Sequence, residues 1–171
     1  MQKEIPGNAL TLSLNSSLKG ENNLWEKKFS ALFKKKLPQI EGFLEKFFKE
    51  SPSSQHYYVS LNLCGRAKII SLNDQYRNKN KVTDVLSFPI FESLRVEKKD
   101  ITHIPDIEFG DIYVCYEVAS KQSREFKISV EEEIVHLFIH GFLHLLGYDH
   151  EISLKEEKIM EELEEQLLRD V

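Results

Sequence analysis

The chain has 171 residues, of which 41% are hydrophobic and 30% charged, so it can bury a core and is no disordered polymer. No run approaches the roughly eighteen apolar residues of a membrane helix, and residues 1–15 lack the basic start and apolar stretch of a secretory signal, so a cytoplasmic protein is expected. The net charge of −5 is local: residues 151–171 hold 8 acids and 3 bases, whereas residues 1–50 hold 9 bases and 6 acids, so the acidic total does not exclude a nucleic-acid partner.

In chain order, residues 10–14 alternate as a short strand. A helical pattern then runs through Leu24, Trp25, Phe29, Leu32, Phe33 and Leu37; Pro38 is expected to break or restart it before helical character resumes over 40–48. Lys27, Lys28 and Lys34 to Lys36 on this stretch form either a basic face for phosphates or an ordinary solvated helix face. Pro52 marks a loop at 51–54. Residues 57–64 alternate and are rich in β-formers, which predicts a strand. Residues 67–76 read as a helix with Ile69, Ile70, Asn73 and Tyr76 near one face, and 77–81 as a polar, basic turn. A short strand at 85–88 is ended by Pro89, and 90–109, with no clear period, is expected to be a long surface loop. A strand at 111–116 is entered through Gly110, and 117–126 is helical. Cys64 and Cys115 sit in apolar, strand-like stretches without a second Cys at ligand spacing, which makes them buried thiols rather than ligands.

Ser129 and Glu132 have capping-box spacing and open a helix that runs to Leu146 and stops at Gly147. Ser153 and Glu156 repeat the spacing before a last amphipathic helix using Ile159, Leu163 and Leu167. Strands separated by helices give a single domain over 1–171, a small mixed sheet packed against helices.

Between Ile134 and Leu146 every residue apart from Gly141 is apolar except His136, His140 and His144, each four residues from the next. Four residues advance a helix by about 400° and roughly 6 Å, so the imidazoles form one stripe. A buried polar side chain without a partner costs about 1 to 3 kcal/mol, and one divalent cation satisfies several imidazoles at once. His140 and His144 can reach one ion, and the third ligand is His150, returned by the turn after Gly147; His136 is further away, next to the ligands or in the core. The spacing His-x-x-x-His-x-x-Gly-x-x-His matches the zinc motif of metzincin proteases. Three neutral ligands leave a position open for a water or a substrate oxygen, which is the catalytic pattern. Metzincins place a Glu directly after the first His as general base, and here that position is Gly141. Glycine removes the proton acceptor for peptide hydrolysis and is expected to leave space beside the metal for a bulky anionic group.

The run His136-Leu137-Phe138-Ile139-His140-Gly141-Phe142-Leu143-His144-Leu145-Leu146-Gly147-Tyr148-Asp149-His150 resembles the signature of the YbeY family, bacterial-type metal-dependent endoribonucleases of rRNA maturation. Leu72-Asn73-Asp74-Gln75-Tyr76-Arg77, Thr83-Asp84-Val85-Leu86-Ser87-Phe88-Pro89 and Gly110-Asp111-Ile112 agree independently, and the likeness covers roughly residues 57 to 168. The resemblance implies a zincin-like α+β fold with the metal site at the end of a central helix. It implies one divalent ion, zinc by its ligand set, on His140, His144 and His150, and a functional arginine at Arg77. It also implies single-stranded RNA as substrate and the small ribosomal subunit as setting, with neither DNA nor membrane as a partner. Arg77 can grip two phosphate oxygens and stabilise charge built on a phosphodiester, or simply close its helix against the dipole. Ser87 and Asp111 are candidates to line the cleft, and Asp149 either orients a ligand histidine or serves the turn. Two rival readings stand beside the endoribonuclease: a metalloprotease, and a ribosome-assembly factor with a structural metal.

Overall fold

The computed structural model describes residues 2–18, 23–49, 55–97, 101 and 103–169; the loop expected at 51–54 lies outside them. The elements are β1 (Gln2–Pro6), β2 (Leu10–Ser16), α1 (Asn23–Phe47), β3 (His56–Cys64), α2 (Arg66–Arg77), β4 (Val85–Pro89), α3 (Leu94–Glu97), β5 (Asp106–Cys115), α4 (Tyr116–Phe126), α5 (Val130–Leu145) and α6 (Leu154–Leu168). The strands form one mixed sheet in the order β1-β2-β3-β5-β4. β2, β3 and β5 run parallel, and β1 and β4 close the two edges antiparallel. This is the α+β arrangement expected from the sequence.

Alternation decides which face of the sheet is covered. Leu10, Leu12 and Leu14 of β2, Val59, Leu61 and Leu63 of β3, and Ile107, Phe109, Ile112 and Val114 of β5 are buried in one cluster with α1 and α5. The opposite face carries polar residues. Asn15 Nδ2 donates to Asn62 Oδ1 at 3.1 Å, and Asn62 Nδ2 donates to Asp111 Oδ1 at 3.0 Å. α2 covers only the β4 end of that face, where Ile69 and Leu72 pack with Cys64, Cys115 and Leu86. Both cysteines are free, as expected, and burial pushes the Cys64 thiol up to about 12.

Three expectations are corrected. Pro38 does not break α1, which continues through it for 25 residues. Phe29, Phe33 and Leu37 before it, and Ile40, Leu44 and Phe47 after it, are all buried in the main core, and that shared burial outweighs the roughly 3 kcal/mol that an interior proline costs.

The segment 90–109 is not a plain surface loop. It contains α3 and the first half of β5, and Leu94, Ile101, Ile107 and Phe109 are buried. Asp106 to Phe109 alternate exposed and buried, and a bulge then separates them from the rest of β5. Tyr58 pairs with Glu108 and Ser60 with Asp111, so Phe109 and Gly110 face the single residue Val59. Gly110 has φ +132°, and a Cβ there would fall 2.1 Å from the Phe88 carbonyl oxygen. The extra residue returns Ile112 and Val114 to the same face as Ile107 and Phe109.

Tyr76 does not join the buried face of α2. It is 60% exposed, whereas Ile69, Leu72 and Asn73 are the buried residues of that helix.

Candidate metal centre

α5 opens on the complete capping box: Glu132 N donates to Ser129 Oγ at 3.1 Å, and Ser129 N donates to Glu132 Oε2 at 2.7 Å. Glu131, Glu132 and Glu133 in its first turn favour the positive end of the helix dipole. From Glu133 to Leu146 every residue is buried except His136, His140 and His144. The imidazole stripe is therefore the one side on which solvent reaches this stretch of the helix.

Gly147 takes φ +91° and reverses the chain. The turn brings His150 back, with ring centroids 5.2 Å from both His140 and His144, which are 4.8 Å from each other. One ligand nitrogen from each of the three lies within 4.8 Å of the other two, a spacing one cation can span, and this is the one such group among the described residues. The donors are all imidazoles and partly exposed, so the residues fit a divalent ion with an open coordination position. Burial pushes the His144 imidazole down to about 4, and the neighbouring His140 and His150 push it the same way. It is thus uncharged at neutral pH, as a ligand must be.

Two residues that the sequence reading did not single out hold this arrangement. Glu164 on α6 places Oε1 2.7 Å from His140 Nδ1. Burial pushes the Glu164 carboxyl up, but hydrogen bonds from His136 and His140 prevail and hold it down at about 2. An ionised carboxylate only accepts, so His140 Nδ1 carries the proton and Nε2 keeps the lone pair. The available signal was positional: Glu164 follows Met160 by four residues and precedes Leu167 by three, and both of those are buried on α6. Arg95, from the supposed loop, stacks its guanidinium 4.5 Å from the Tyr148 ring centroid and pairs with Glu156 at the start of α6. Arg95 N also donates to the Leu146 carbonyl at 3.2 Å, so α3 braces the bend that carries His150.

His136 is neither a member of the triad nor a core residue. Its side chain is 39% exposed, with Nε2 3.9 Å from Glu164 Oε2 and Nδ1 3.7 Å from Glu133 Oε2. Glu164 beside it raises the His136 imidazole above its ordinary value, against the effect of burial. Asp149 Oδ1 accepts the Glu151 N–H at 2.9 Å, and its charge acts to raise the His144 imidazole. Glu164 is hydrogen-bonded to His140 of the triad.

The space expected beside Gly141 is filled. A Cβ there would lie 2.8 Å from Ile112 Cγ2 and 2.8 Å from Ser87 Oγ, because α5 presses against β4 and β5 at this point. Ser87 thus faces α5. Phe88 and its register partner Asp111 alternate to the other face, where Tyr76 of α2 meets Phe88 with ring centroids 4.9 Å apart. Arg77, the last residue of α2, is exposed, and edge strand β4 lies between its helix and α5. Asn73 fixes the loop after it, donating through Nδ2 to the Lys81 carbonyl at 2.8 Å. Of the lysines of α1, Lys27, Lys28, Lys34 and Lys35 are exposed and Lys36 is not. Lys36 is buried and donates through Nζ to the carbonyls of Leu167 at 3.0 Å and Arg169 at 2.6 Å, closing the C-terminal end of α6. Lys28 pairs with Glu131 at 3.6 Å.

The family model described as endoribonuclease YbeY matches residues 21–171. The chain belongs to the YbeY family. It is 41% identical over 134 residues to the endoribonuclease YbeY of Caldicellulosiruptor bescii, covering 77% of this chain and 84% of that one. The Persephonella marina endoribonuclease YbeY is 40% identical over 113 residues, covering 66% and 69% respectively. The solution structure of TM1509 from Thermotoga maritima superposes with a TM-score of 0.51 at 30% identity, covering 91% of this chain and 86% of that one. The match of fold and sequence together agrees with the zincin-like α+β architecture, with α5 beneath the edge strand of a mixed sheet.

Proposed function

We propose that the chain is a single-domain, metal-dependent endoribonuclease that cleaves single-stranded RNA in rRNA maturation, at the 3′ end of small-subunit rRNA, and in ribosome quality control. The setting is the cytoplasm and the small ribosomal subunit. The observation that carries the reading is the partly exposed imidazole triad of His140, His144 and His150 in a chain whose residues 21–171 match the endoribonuclease YbeY model. No helix among the described residues is long and apolar enough to cross a membrane.

His140, His144 and His150 would hold one divalent ion, and an all-imidazole set suits zinc. Such an ion supplies Lewis acidity toward a phosphoryl oxygen and acidifies a water. Glu164 keeps the His140 proton on Nδ1 and leaves Nε2 as the nitrogen that would meet the ion. Arg77 presents two N–H donors to the phosphate and stabilises the negative charge that builds during cleavage. A peptide hydrolase would need a general base after His140, and Gly141 cannot be replaced by one without displacing Ile112 or Ser87.

The test pairs elemental analysis of purified protein with cleavage of single- and double-stranded RNA by wild type, His144→Ala and Arg77→Ala. One tightly held divalent ion, cleavage of single strands only, and loss of turnover in both variants are expected. Cleavage of unfolded casein in place of RNA would instead establish the protease. Stoichiometric RNA binding without turnover, with unfolding on metal removal, would establish the assembly factor. Analysis of the product ends separates attack by water from attack by the ribose 2′-hydroxyl.

A further inference from the structure

Tyr76 is an anomaly on its own helix. Leu72 and Asn73 are buried, yet Tyr76 is 60% exposed. Its ring is nevertheless held: it meets Phe88 at 4.9 Å and 68°, and Phe88 meets Tyr113 at 5.7 Å and 86°. Three rings thus stand edge to face, with the outermost one braced from beneath and largely open to solvent. A ring fixed in this way loses little freedom when a flat partner covers it.

The surroundings select the partner. Residues 66–81 contain five bases, Arg66, Lys68, Arg77, Lys79 and Lys81, against the single acid Asp74, within a chain of net charge −5. Residues 74–81 are all exposed. The backbone that presents them is pinned by the Asn73 side chain on Lys81 O and by Lys79 N donating to Asn73 O at 3.2 Å. An open aromatic ring within a fixed basic segment is the combination that binds single-stranded nucleic acid, with bases stacking and cations tracking the backbone. Strand β4 links the segment to the helix of the triad. Phe88, which braces Tyr76, follows Ser87, whose Oγ lies 2.8 Å from where a Cβ of Gly141 would stand, next to His140.

We propose that Tyr76 stacks on an unpaired base of the RNA a few nucleotides from the scissile phosphate, with Lys79 and Lys81 holding the adjoining phosphates, as the strand passes over the edge of the sheet at β4. The inference rests on the RNA reading above and extends it, because a base inside a duplex has no free face to offer and the platform therefore selects single strands. Stacking tolerates any base, so the subsite reads strandedness rather than sequence.

The experiment measures kcat and KM of the metal-loaded protein on a single-stranded oligoribonucleotide and on copies with one abasic nucleotide at each position in turn. Tyr76→Ala is expected to raise KM about tenfold with kcat little changed, and Tyr76→Phe and Tyr76→Trp to keep the wild-type KM. At one position the abasic nucleotide should impose the same penalty on wild type and none on Tyr76→Ala. Lys79→Ala with Lys81→Ala should raise KM at every abasic position alike and flatten its salt dependence. Thermal melts of each variant confirm the fold. If wild type cleaves RNA but Tyr76→Ala has an unchanged KM, or shows the full abasic penalty at every position, the stacking subsite is overturned and the ring becomes a protein-docking surface. If wild type cleaves no RNA, the functional reading falls and the subsite falls with it.

Discussion

Glu164 Oε1 stands 2.7 Å from His140 Nδ1, so a carboxylate on the last helix controls the tautomer of an imidazole on the central one. Such outer partners are typically worth 10- to 100-fold in metal affinity. Glu164→Ala is expected to weaken Co2+ or Zn2+ binding by about that factor, read by the visible spectrum of the cobalt protein and by competition with a chromophoric chelator. Glu164→Gln keeps an acceptor near Nδ1 and should fall between wild type and alanine. A metal affinity unchanged in both variants would reduce the contact to a helix-packing detail.

Arg95 braces the other side of the triad. Its guanidinium lies 4.5 Å from the Tyr148 ring and pairs with Glu156, tying α3 to the bend and to α6. Arg95→Ala should destabilise the protein by about 1 kcal/mol and weaken metal binding through His150 more than through His140 or His144. Thermal melts with and without added Zn2+ check this: the increment in Tm on adding metal should shrink in the variant. An increment equal to that of wild type would show that the bend holds itself.

Most of the site was legible in the sequence because it is local. His140, His144 and Gly147 belong to one helix and its cap, and His150 follows three residues later, so helical pitch and one glycine fix their relation. What was not legible depends on distant pairings. Arg95 lies in a helix of only 4 residues, too short to show a period, and nothing in residues 90–109 announces that the segment returns to cover Tyr148. Gly141 showed no Cβ to the sequence reading and suggested free space, whereas the sheet had moved into it. Lys36 read as part of a surface cluster because its acceptors, the carbonyls of Leu167 and Arg169, are more than 130 residues away along the chain. β1 was missed because Ile5 is its one buried residue, too little to show a period.

Gly141 offers a direct probe of the contact between α5 and the sheet. A methyl group there would approach Ile112 Cγ2 and Ser87 Oγ to 2.8 Å, closer than a Cβ comes to any non-bonded heavy atom. Gly141→Ala gains helix propensity but overpacks the interface, and the second effect wins, for a net loss of about 1 to 3 kcal/mol. Combining it with Ser87→Gly should recover part of that loss, and urea titration measures both. Gly141→Glu, which would restore the protease pattern, should fold worse still and acquire no activity on casein. Stability at or above the wild-type level in Gly141→Ala would mean that α5 shifts freely away from β4.

Asp84 carries a pH signature away from the metal centre. Its Oδ1 accepts the Val85 N–H at 2.9 Å and the Thr83 hydroxyl at 3.1 Å, and its Oδ2 accepts Gln122 Nε2 at 2.9 Å, tying the start of β4 to α4. Burial alone would raise its carboxyl, but these hydrogen bonds prevail and hold it below the ordinary value. A carboxyl whose folded-state pKa is depressed stabilises the fold above its unfolded value, about 3.9, and loses that contribution as the pH falls through the folded one. Asp84→Asn keeps the shape but donates where Asp84 accepts. It is expected to lose about 1 to 3 kcal/mol at pH 7 and to lose less than wild type between pH 5 and pH 3. Urea midpoints for both proteins across that interval decide the matter, because parallel curves would mean that the Asp84 carboxylate makes no contribution to acid sensitivity.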